Sequence, residues 1–196
     1  MDAVEVVEVT SPEELRALVG DPVQVVIDKD SDHIDASHRA WLQLSPFCLI
    51  GTSAADGTCD VSPKGDPPGF AHVIDEHAIA IPDRPGNKRL DGLHNVLSNP
   101  HVGLLFMIPG RGDTLRINGR ARVVREAPFF DEMIVKGLRP KLALVVEVEQ
   151  VFFHCPKAFL RSKLWDPPSW NPGDDATLEK LEEFYREQRP KLYKFY

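Results

Sequence analysis

The segment FCLIGTSAADGTCDVS, residues 47–62, decides the fold of this chain. Residues 47–53 form a largely apolar run typical of a β-strand, and residues 58–62, in which Cys59 and Val61 alternate with polar residues, have the pattern of a second, shorter strand. Ala55, Asp56 and Gly57 lie between the runs, and Asp-Gly is a sequence that favours the tight turn of a hairpin. The segment therefore predicts two antiparallel strands joined by a short turn.

Strand patterns continue through the next ninety or so residues. Residues 102–108 are entirely apolar, which predicts a strand buried on both faces, and residues 114–124 alternate between apolar and basic or polar side chains. Further strands are predicted at 70–74, 78–81 and, as the longest, 142–153, whereas the Pro- and Gly-rich residues 63–69 predict a loop. About six strands with hairpin spacing and one helix between them predict a mainly β (α+β) fold, a small antiparallel β-barrel with peripheral helices.

Helices are predicted at both ends of this β-rich region and within it. Ser11-Pro12-Glu13-Glu14 is a capping box that opens a helix closed by Gly20. The other predicted helices cover residues 34–44, 128–138, 156–165 and 177–188, the last an acidic helix ended by Pro190. We expect three parts: an N-terminal helical extension packed on the barrel (1–45), the barrel (46–167) and a C-terminal loop and helix (168–196).

Composition excludes several classes of function. The 196 residues include 23 Lys and Arg against 30 Asp and Glu, a net charge of −7, which argues against a nucleic-acid surface. No apolar run is long enough to cross a membrane. Residues 1–5 are acidic and lack the basic and apolar parts of a signal peptide, so the predicted location is the cytoplasm.

The sequence lacks several well-known catalytic and metal-binding motifs. Cys48, Cys59 and Cys155 form no CxxC pair, which predicts no zinc site and no disulfide framework, and we expect each to be a buried, inert thiol. There is no GxSxG, no HExxH and no P-loop sequence. We therefore predict no metal site and name no catalytic acid or base.

Residues 82–90, PDRPGNKRL, form the strongest candidate for a binding site. Asn87 is a favourable N-cap, and the apolar pattern that follows predicts a helix with Lys88 and Arg89 in its first turn. Cations at a helix N-terminus oppose the helix dipole, and a bound anion removes the conflict. The pattern therefore predicts a phosphate site. The alternative is a solvated first turn with both side chains pointing away.

Two further polar clusters also follow predicted strands. Residues 62–65, SPKG, follow the second strand, and Lys157, Arg161, Ser162 and Lys163 follow the last, with Trp165 close by. Cations from several elements beside an aromatic ring suit a ligand with a phosphate at one end and a planar ring at the other. The alternative is that these are ordinary charges on the rim of a barrel.

Several of these segments together resemble the pyridoxamine 5'-phosphate oxidase-like superfamily of FMN-binding split barrels. The segments that carry the resemblance are TSAADG (52–57), CDVSPKGD (59–66), IPDRPGNKR (81–89), NPHVGLLF (99–106), LRINGRA (115–121) and HCPKAFLRSKLW (154–165). The resemblance spans most of residues 37–167. It implies a six-stranded split barrel that forms a homodimer with FMN at the subunit interface.

The resemblance also implies roles for individual residues. The strand from Cys59 to Lys64 would run beside the flavin ring and ribityl chain, Lys88 and Arg89 would grip the phosphate, and the segment 157–165 would reach the site from the partner subunit. The FMN-binding residues expected on this basis are Cys59, Val61, Ser62, Lys64, Ile81, Pro82, Asn87, Lys88, Arg89, Thr114, Lys157, Arg161, Ser162 and Trp165.

The function implied is that of a flavin-dependent oxidoreductase, which passes hydride or electrons between FMN and a small-molecule substrate. The chain lacks the C-terminal Arg- and His-containing stretch of the pyridoxamine phosphate oxidases proper and ends instead in an acidic helix and KLYKFY (191–196), which argues against oxidation of vitamin B6. The alternatives are a non-catalytic flavin, deazaflavin or tetrapyrrole binder that uses the same cleft, and a barrel without a ligand.

Overall fold

The computed structural model describes residues 6–170, 173 and 175–192. The predictions that depend on residues 1–5 and on residues 193–196 lie outside this part of the chain. The chain divides into two units, Met1–Asp30 and Ser31–Tyr196. Within the described residues, no helix combines the length and the hydrophobicity needed to span a membrane.

The first unit contains helices α1 (Pro12–Val19) and α2 (Gln24–Ile27). The Oγ of Ser11 accepts a hydrogen bond from the N–H of Glu14 at 3.1 Å, and Gly20 ends α1 with φ +84°. The predicted N-cap and glycine stop of α1 are thus confirmed. The reciprocal half of the capping box is not formed, because the Glu14 side chain accepts from the N–H of Thr10 at 3.0 Å and not from that of Ser11. Helix α2 was not predicted.

The second unit is built on one antiparallel sheet in the order β2-β1-β5-β6-β7-β4-β3. Its strands are β1 (Phe47–Ser53), β2 (Cys59–Gly65), β3 (His72–Val73), β4 (Ala78–Pro82), β5 (His101–Met107), β6 (Thr114–Val124) and β7 (Ala143–His154). The predicted antiparallel fold class is confirmed. The sheet has seven strands, where about six were expected. Strand β3, at one edge, has only two residues and is shorter than the predicted 70–74.

The second strand is longer than predicted, because β2 continues through Pro63, where a loop was expected. In the β1–β2 ladder Pro63 lies opposite Leu49. Proline cannot donate a ladder hydrogen bond, but β2 is an edge strand with one neighbour, and an edge tolerates this loss.

The described residues of the second unit also form four α-helices: α3 (Ala36–Leu44), α4 (Asp91–Ser98), α5 (Lys157–Ser162) and α6 (Asp175–Leu192). Helix α3 begins two residues later than predicted, with Asp35 as its N-cap, and α6 extends past Pro190. The helix predicted at 128–138 is wrong in type and length. A 3₁₀ helix covers Pro128–Met133, and Lys136 and Gly137 then adopt left-handed conformations that break the chain direction.

The main core cluster lies on one face of the strands, and a smaller cluster that includes Ala80, Val145 and Phe130 lies on the other face of β4 and β7. Leu104 and Phe106 of β5 are buried against Leu115 and Ile117 of β6. The alternate residues of β5 are only half-buried in the single chain, so the prediction that this strand is buried on both faces is wrong there.

The ladder between β6 and β7 contains a bulge between Asn118 and Gly119. A Cβ atom at Gly119 would lie 1.9 Å from the carbonyl oxygen of Glu147, so only glycine fits this close approach.

Candidate functional site

A cavity of about 370 Å³ lies between β2, the end of β4 and the start of α4. The edge strand β2 pairs with β1, and β4 pairs with β3 and β7, so no backbone ladder joins β2 to β4 in the described sheet. The cavity occupies this gap. Its apolar lining includes side chains from β1, β4, α4 and β7: Ile50, Ile81, Pro82, Leu93 and Leu144.

Alternate residues of β2 supply the polar side of the cavity. Asp60, Ser62 and Lys64 are half-buried and line it, whereas Cys59 and Val61 are exposed, as expected for the period of two in a strand. Val61 also borders the cavity despite its exposure. The Nζ of Lys64 donates a hydrogen bond to Asp83, which follows β4, at 3.3 Å. A salt bridge therefore spans the gap where the ladder is missing.

A buried amide joins α4 to the two strands below it. The Nδ2 of Asn95 donates to Asp60 Oδ2 at 2.8 Å and to Thr52 Oγ1 at 3.0 Å. Sequence reasoning missed Asp60, although its alternation with Ser62 and Lys64 in β2 could have indicated it.

The start of α4 differs from the prediction. The helix begins at Asp91, and its N-cap is Leu90 in a left-handed conformation with φ +62°. Asn87 is not the N-cap; its Oδ1 accepts a hydrogen bond from the N–H of Arg89 at 3.1 Å. Lys88 and Arg89 therefore precede the helix, and the predicted conflict with the helix dipole within the first turn is wrong. The first turn carries an acid, Asp91, which suits the dipole.

The helix start nevertheless has the features of an anion site. No side chain caps α4, so the N–H groups of its first turn have no intrahelical acceptor, and Asp91, Gly92 and Leu93 all line the cavity. Lys88 and Arg89 line it as well. Uncapped N–H groups and two cations thus line the same cavity, a combination that suits an anion.

The cations of the cavity differ in how they are paired. The Nε of Arg89 donates to Asp91 at 2.7 Å, and this hydrogen bond raises the pKa of Arg89 above its usual range. Arg84 pairs with Asp66 just beyond β2, and Lys64 pairs with Asp83. Among the described residues, Lys88 is the lining cation that has no carboxylate partner.

The cavity brings together eight of the fourteen residues predicted to bind FMN: Val61, Ser62, Lys64, Ile81, Pro82, Asn87, Lys88 and Arg89. Cys59 lies at the outer side of β2 beside a shallower cleft that Gly51 and Gly103 also line. Thr114 is buried at the start of β6, opposite His154.

The four C-terminal residues predicted for the site, Lys157, Arg161, Ser162 and Trp165, do not line this cavity in the single chain. Helix α5 ends at Ser162, short of the predicted 165, because Lys163 adopts a left-handed conformation. The Nε1 of Trp165 donates to the carbonyl oxygen of Arg111 at 2.7 Å, and the Trp165 ring stacks on Phe159.

The three cysteines are free thiols, but only one is buried. Burial raises the pKa of Cys48 to about 12, whereas Cys59 and Cys155 are exposed. The prediction that all three are buried is therefore wrong for two of them. Over the part of the chain that the structure describes, no group of three or more His, Cys, Asp or Glu residues is placed to hold a metal ion.

Known structures with similar folds have low sequence identity to this chain. HupZ of Group A Streptococcus is 16% identical with a TM-score of 0.50, and the match covers 62% of this chain and 99% of HupZ. A candidate pyridoxamine 5'-phosphate oxidase of Lactobacillus delbrueckii is 18% identical with a TM-score of 0.47 and coverages of 62% and 95%. HutZ, the heme storage protein of Vibrio cholerae, is 16% identical with a TM-score of 0.43 and coverages of 61% and 93%.

At these identities the structural matches concern the fold alone. A search of curated proteins finds no match. The family model described as pyridoxamine 5'-phosphate oxidase matches residues 34–155, which is more than half of the chain and includes the cavity from β2 to the start of α4. The chain therefore belongs to the pyridoxamine 5'-phosphate oxidase family and has its split-barrel fold.

Proposed function

We propose that the chain binds FMN in the cavity between β2, β4 and α4 and acts as an FMN-dependent oxidoreductase on a small-molecule substrate. The observation that carries this proposal is the uncapped start of α4, which opens next to Lys88 and Arg89 onto a cavity with apolar walls. A ligand that suits it combines a dianionic end with a flat, largely apolar end.

The phosphate would lie at the start of α4. The N–H groups of its first turn, the ammonium of Lys88 and the free guanidinium nitrogens of Arg89 would donate to the phosphate oxygens. Hydrogen bonds between charged partners are about twice as strong as neutral ones, so this end would supply much of the affinity.

The remainder of the ligand fits the other walls of the cavity. Ser62 and Lys64 offer polar contacts for a ribityl chain, and Ile81 and Pro82 offer an apolar surface for a ring. Bound flavin supplies hydride or electron transfer, and the residues of the cavity bind it, orient it and limit its contact with water.

The proposal includes a homodimer. The outer sides of β1 and β5 carry half-buried Leu49, Leu105 and Met107, and Val61 of the neighbouring β2 is 68% exposed. A second copy that covers this face would bury these side chains and bring the segment 157–165 and Thr114 towards a shared site. We also propose that the protein is located in the cytoplasm.

A non-catalytic binder of flavin, deazaflavin or tetrapyrrole is the second candidate. The observation that favours it is the chemistry of the lining: the titratable side chains there are carboxylates, lysines and arginines, with no His, Cys or Tyr among the described lining residues. A lysine or a carboxyl group of the lining would then have to serve as the proton donor for a substrate, unless water or the partner subunit supplies one.

Absorbance spectra and binding titrations test the proposal. The purified protein is expected to show a flavin spectrum, or to acquire one with FMN, and to bind FMN at least about tenfold tighter than riboflavin because riboflavin lacks the phosphate. Parallel titrations with a deazaflavin and with heme distinguish the cofactors. Equal affinity for FMN and riboflavin would contradict the phosphate site.

A second measurement distinguishes an oxidoreductase from a carrier. FMN-loaded protein is mixed anaerobically with NADH or NADPH, and bleaching of the flavin is followed before and after acceptors are added. Bleaching and reoxidation support the oxidoreductase. A flavin that neither donor reduces supports the carrier.

A further inference from the structure

We infer that Arg84 is a positioning residue that holds the loop of residues 83–90 in the conformation that presents Lys88 and Arg89 to the cavity. This inference rests on the proposed function for its ligand, but the geometry it describes belongs to the loop itself. Arg84 touches the cavity wall, and no step of the proposed chemistry assigns it a role of its own.

The Arg84 side chain donates hydrogen bonds to three residues in two separate segments of the chain. Its Nε donates to the carboxylate of Asp66, just beyond β2. Its Nη2 donates to the carbonyl oxygen of Met133 at 2.7 Å, and its Nη1 reaches that of Leu138 at 3.4 Å. One guanidinium therefore ties the 83–90 loop both to the edge strand and to the connection between β6 and β7.

The pairing is well shielded from solvent. The side chains of Arg84 and Asp66 are 22% and 12% exposed. Met133 is buried as well, whereas Leu138 is exposed. The carboxylate of Asp66 and the carbonyl group of Met133 would therefore be left poorly solvated without their donor, so the loop is expected to move when the guanidinium is removed.

The loop needs such support because its backbone is unfavourable. Lys88 and Leu90 both have left-handed conformations, with φ of +61° and +62°, which residues other than glycine rarely adopt. Strained conformations of this kind persist when the surrounding structure determines them. At its first residue the loop is fixed by the N–H of Asp83, which donates to the carbonyl oxygen of Leu142 at 2.9 Å. Arg84 is the next residue, four positions before Lys88.

Arg139 provides a matched control. Its Nε donates to Asp131 at 2.7 Å, it pairs with Glu126, and its guanidinium lies 5.0 Å from the centre of the Phe130 ring. These partners all lie in residues 126–131, within the connection that Arg84 also touches. Removal of Arg139 should therefore weaken that connection without releasing the 83–90 loop.

The experiment compares R84M and R139M in two measurements. The first is trypsin cleavage after Lys88 and Arg89 in the folded, ligand-free protein, mapped by mass spectrometry; position 84 itself is protected in the wild type because Pro85 follows it. The second is the FMN dissociation constant. We expect R84M to raise the cleavage rate and the dissociation constant by about tenfold or more, and R139M to leave both within about twofold at a similar loss of thermal stability.

The outcomes separate this inference from the proposed function. Wild-type cleavage and wild-type FMN affinity in R84M would overturn the inference. Faster cleavage in R84M, together with a wild-type protein that binds neither FMN nor inorganic phosphate, would support Arg84 as the residue that positions the loop and would overturn the FMN site. If R84M does not fold, D66N, which removes the charge of the partner, is read in the same way. Arg84→Lys is expected to give a cleavage rate and an FMN dissociation constant between those of the wild type and R84M, because one ammonium cannot reach all three acceptors.

Discussion

The Nε of Arg89 donates a hydrogen bond of 2.7 Å to a carboxylate oxygen of Asp91, the first residue of α4. One partner is a cation proposed to hold a phosphate, and the other is the acid that occupies the favourable end of the helix dipole. A dianion bound at this helix would compete with Asp91 for Arg89. The affinity of the site for an anion should therefore depend on the carboxylate of Asp91.

Asp91→Asn is expected to tighten FMN binding by about three- to tenfold, because the substitution removes a negative charge beside the phosphate and releases Arg89. Fluorescence quenching of FMN on titration with the protein measures the change. Riboflavin, which has no phosphate, serves as the control ligand and should show little change. Weaker FMN binding in the variant would mean that Asp91 serves the site mainly by holding Arg89 in place.

The double variant Lys88→Glu, Arg89→Glu is expected to lose FMN uptake, because two cations at the phosphate position become anions. Lys136→Glu is the matched control: Lys136 is also exposed, also has a left-handed backbone (φ +50°) and lies outside the cavity. Flavin content after reconstitution and desalting is the measurement. Normal uptake by the double variant would remove the phosphate assignment.

Thiol labelling should separate the three cysteines. In the native protein Cys59 and Cys155 are expected to react quickly with a maleimide, whereas Cys48 should react only after unfolding, since it is buried and its pKa is raised to about 12. If the site lies beside β2 in a dimer, bound FMN should slow the labelling of Cys59 and leave Cys155, the internal reference, less affected. Rapid labelling of Cys48 in the native state would contradict its burial.

The stability of the fold should depend on pH through His38. Burial lowers the pKa of His38, and its Nδ1 accepts a hydrogen bond from the N–H of Asp35 at 3.2 Å. The unfolded state binds the proton more readily, so this contribution is complete above the ordinary pKa of 6.5 and is lost as the pH falls below it. The contribution of His33 to stability changes with pH in the opposite direction, because its hydrogen bond with Asp32 raises its pKa.

His38→Gln is therefore expected to show a smaller loss of melting temperature between pH 7 and pH 5 than the wild type, whatever its stability at pH 7. Thermal unfolding followed by circular dichroism at several pH values gives the comparison. An identical pH dependence in the two proteins would show that His38 is not the buried neutral group.

Much of the sheet could be predicted from the sequence because strand patterns depend on local alternation. The alternation of residues 114–124 places Leu115 and Ile117 in the core, as expected. Periodicity does not show which strand lies at an edge, and the continuation of β2 through Pro63 depends on that position. The break after Met133 depends on the left-handed Lys136, which its residue type does not indicate.

The candidate site was predicted at the correct segments but with partly wrong geometry. Residues 82–90 line the cavity, but the helix starts later than expected, because Asn87 caps the N–H of Arg89 within the loop. Asp83 and Arg84 were missed as functional positions. Their partners, Lys64 in β2 and Asp66 just beyond it, lie about twenty residues away, and pairing across that distance leaves no periodic signal in one sequence.

The gap between β2 and β4 is spanned by side chains and not by a ladder of backbone hydrogen bonds. The width and charge of this opening can therefore change through a few substitutions while every strand keeps its neighbours. A barrel built in this way can exchange one bound molecule for another over evolution without being refolded, so ligand preference in such proteins should be assigned from the residues that bridge the opening and not from the shape of the barrel.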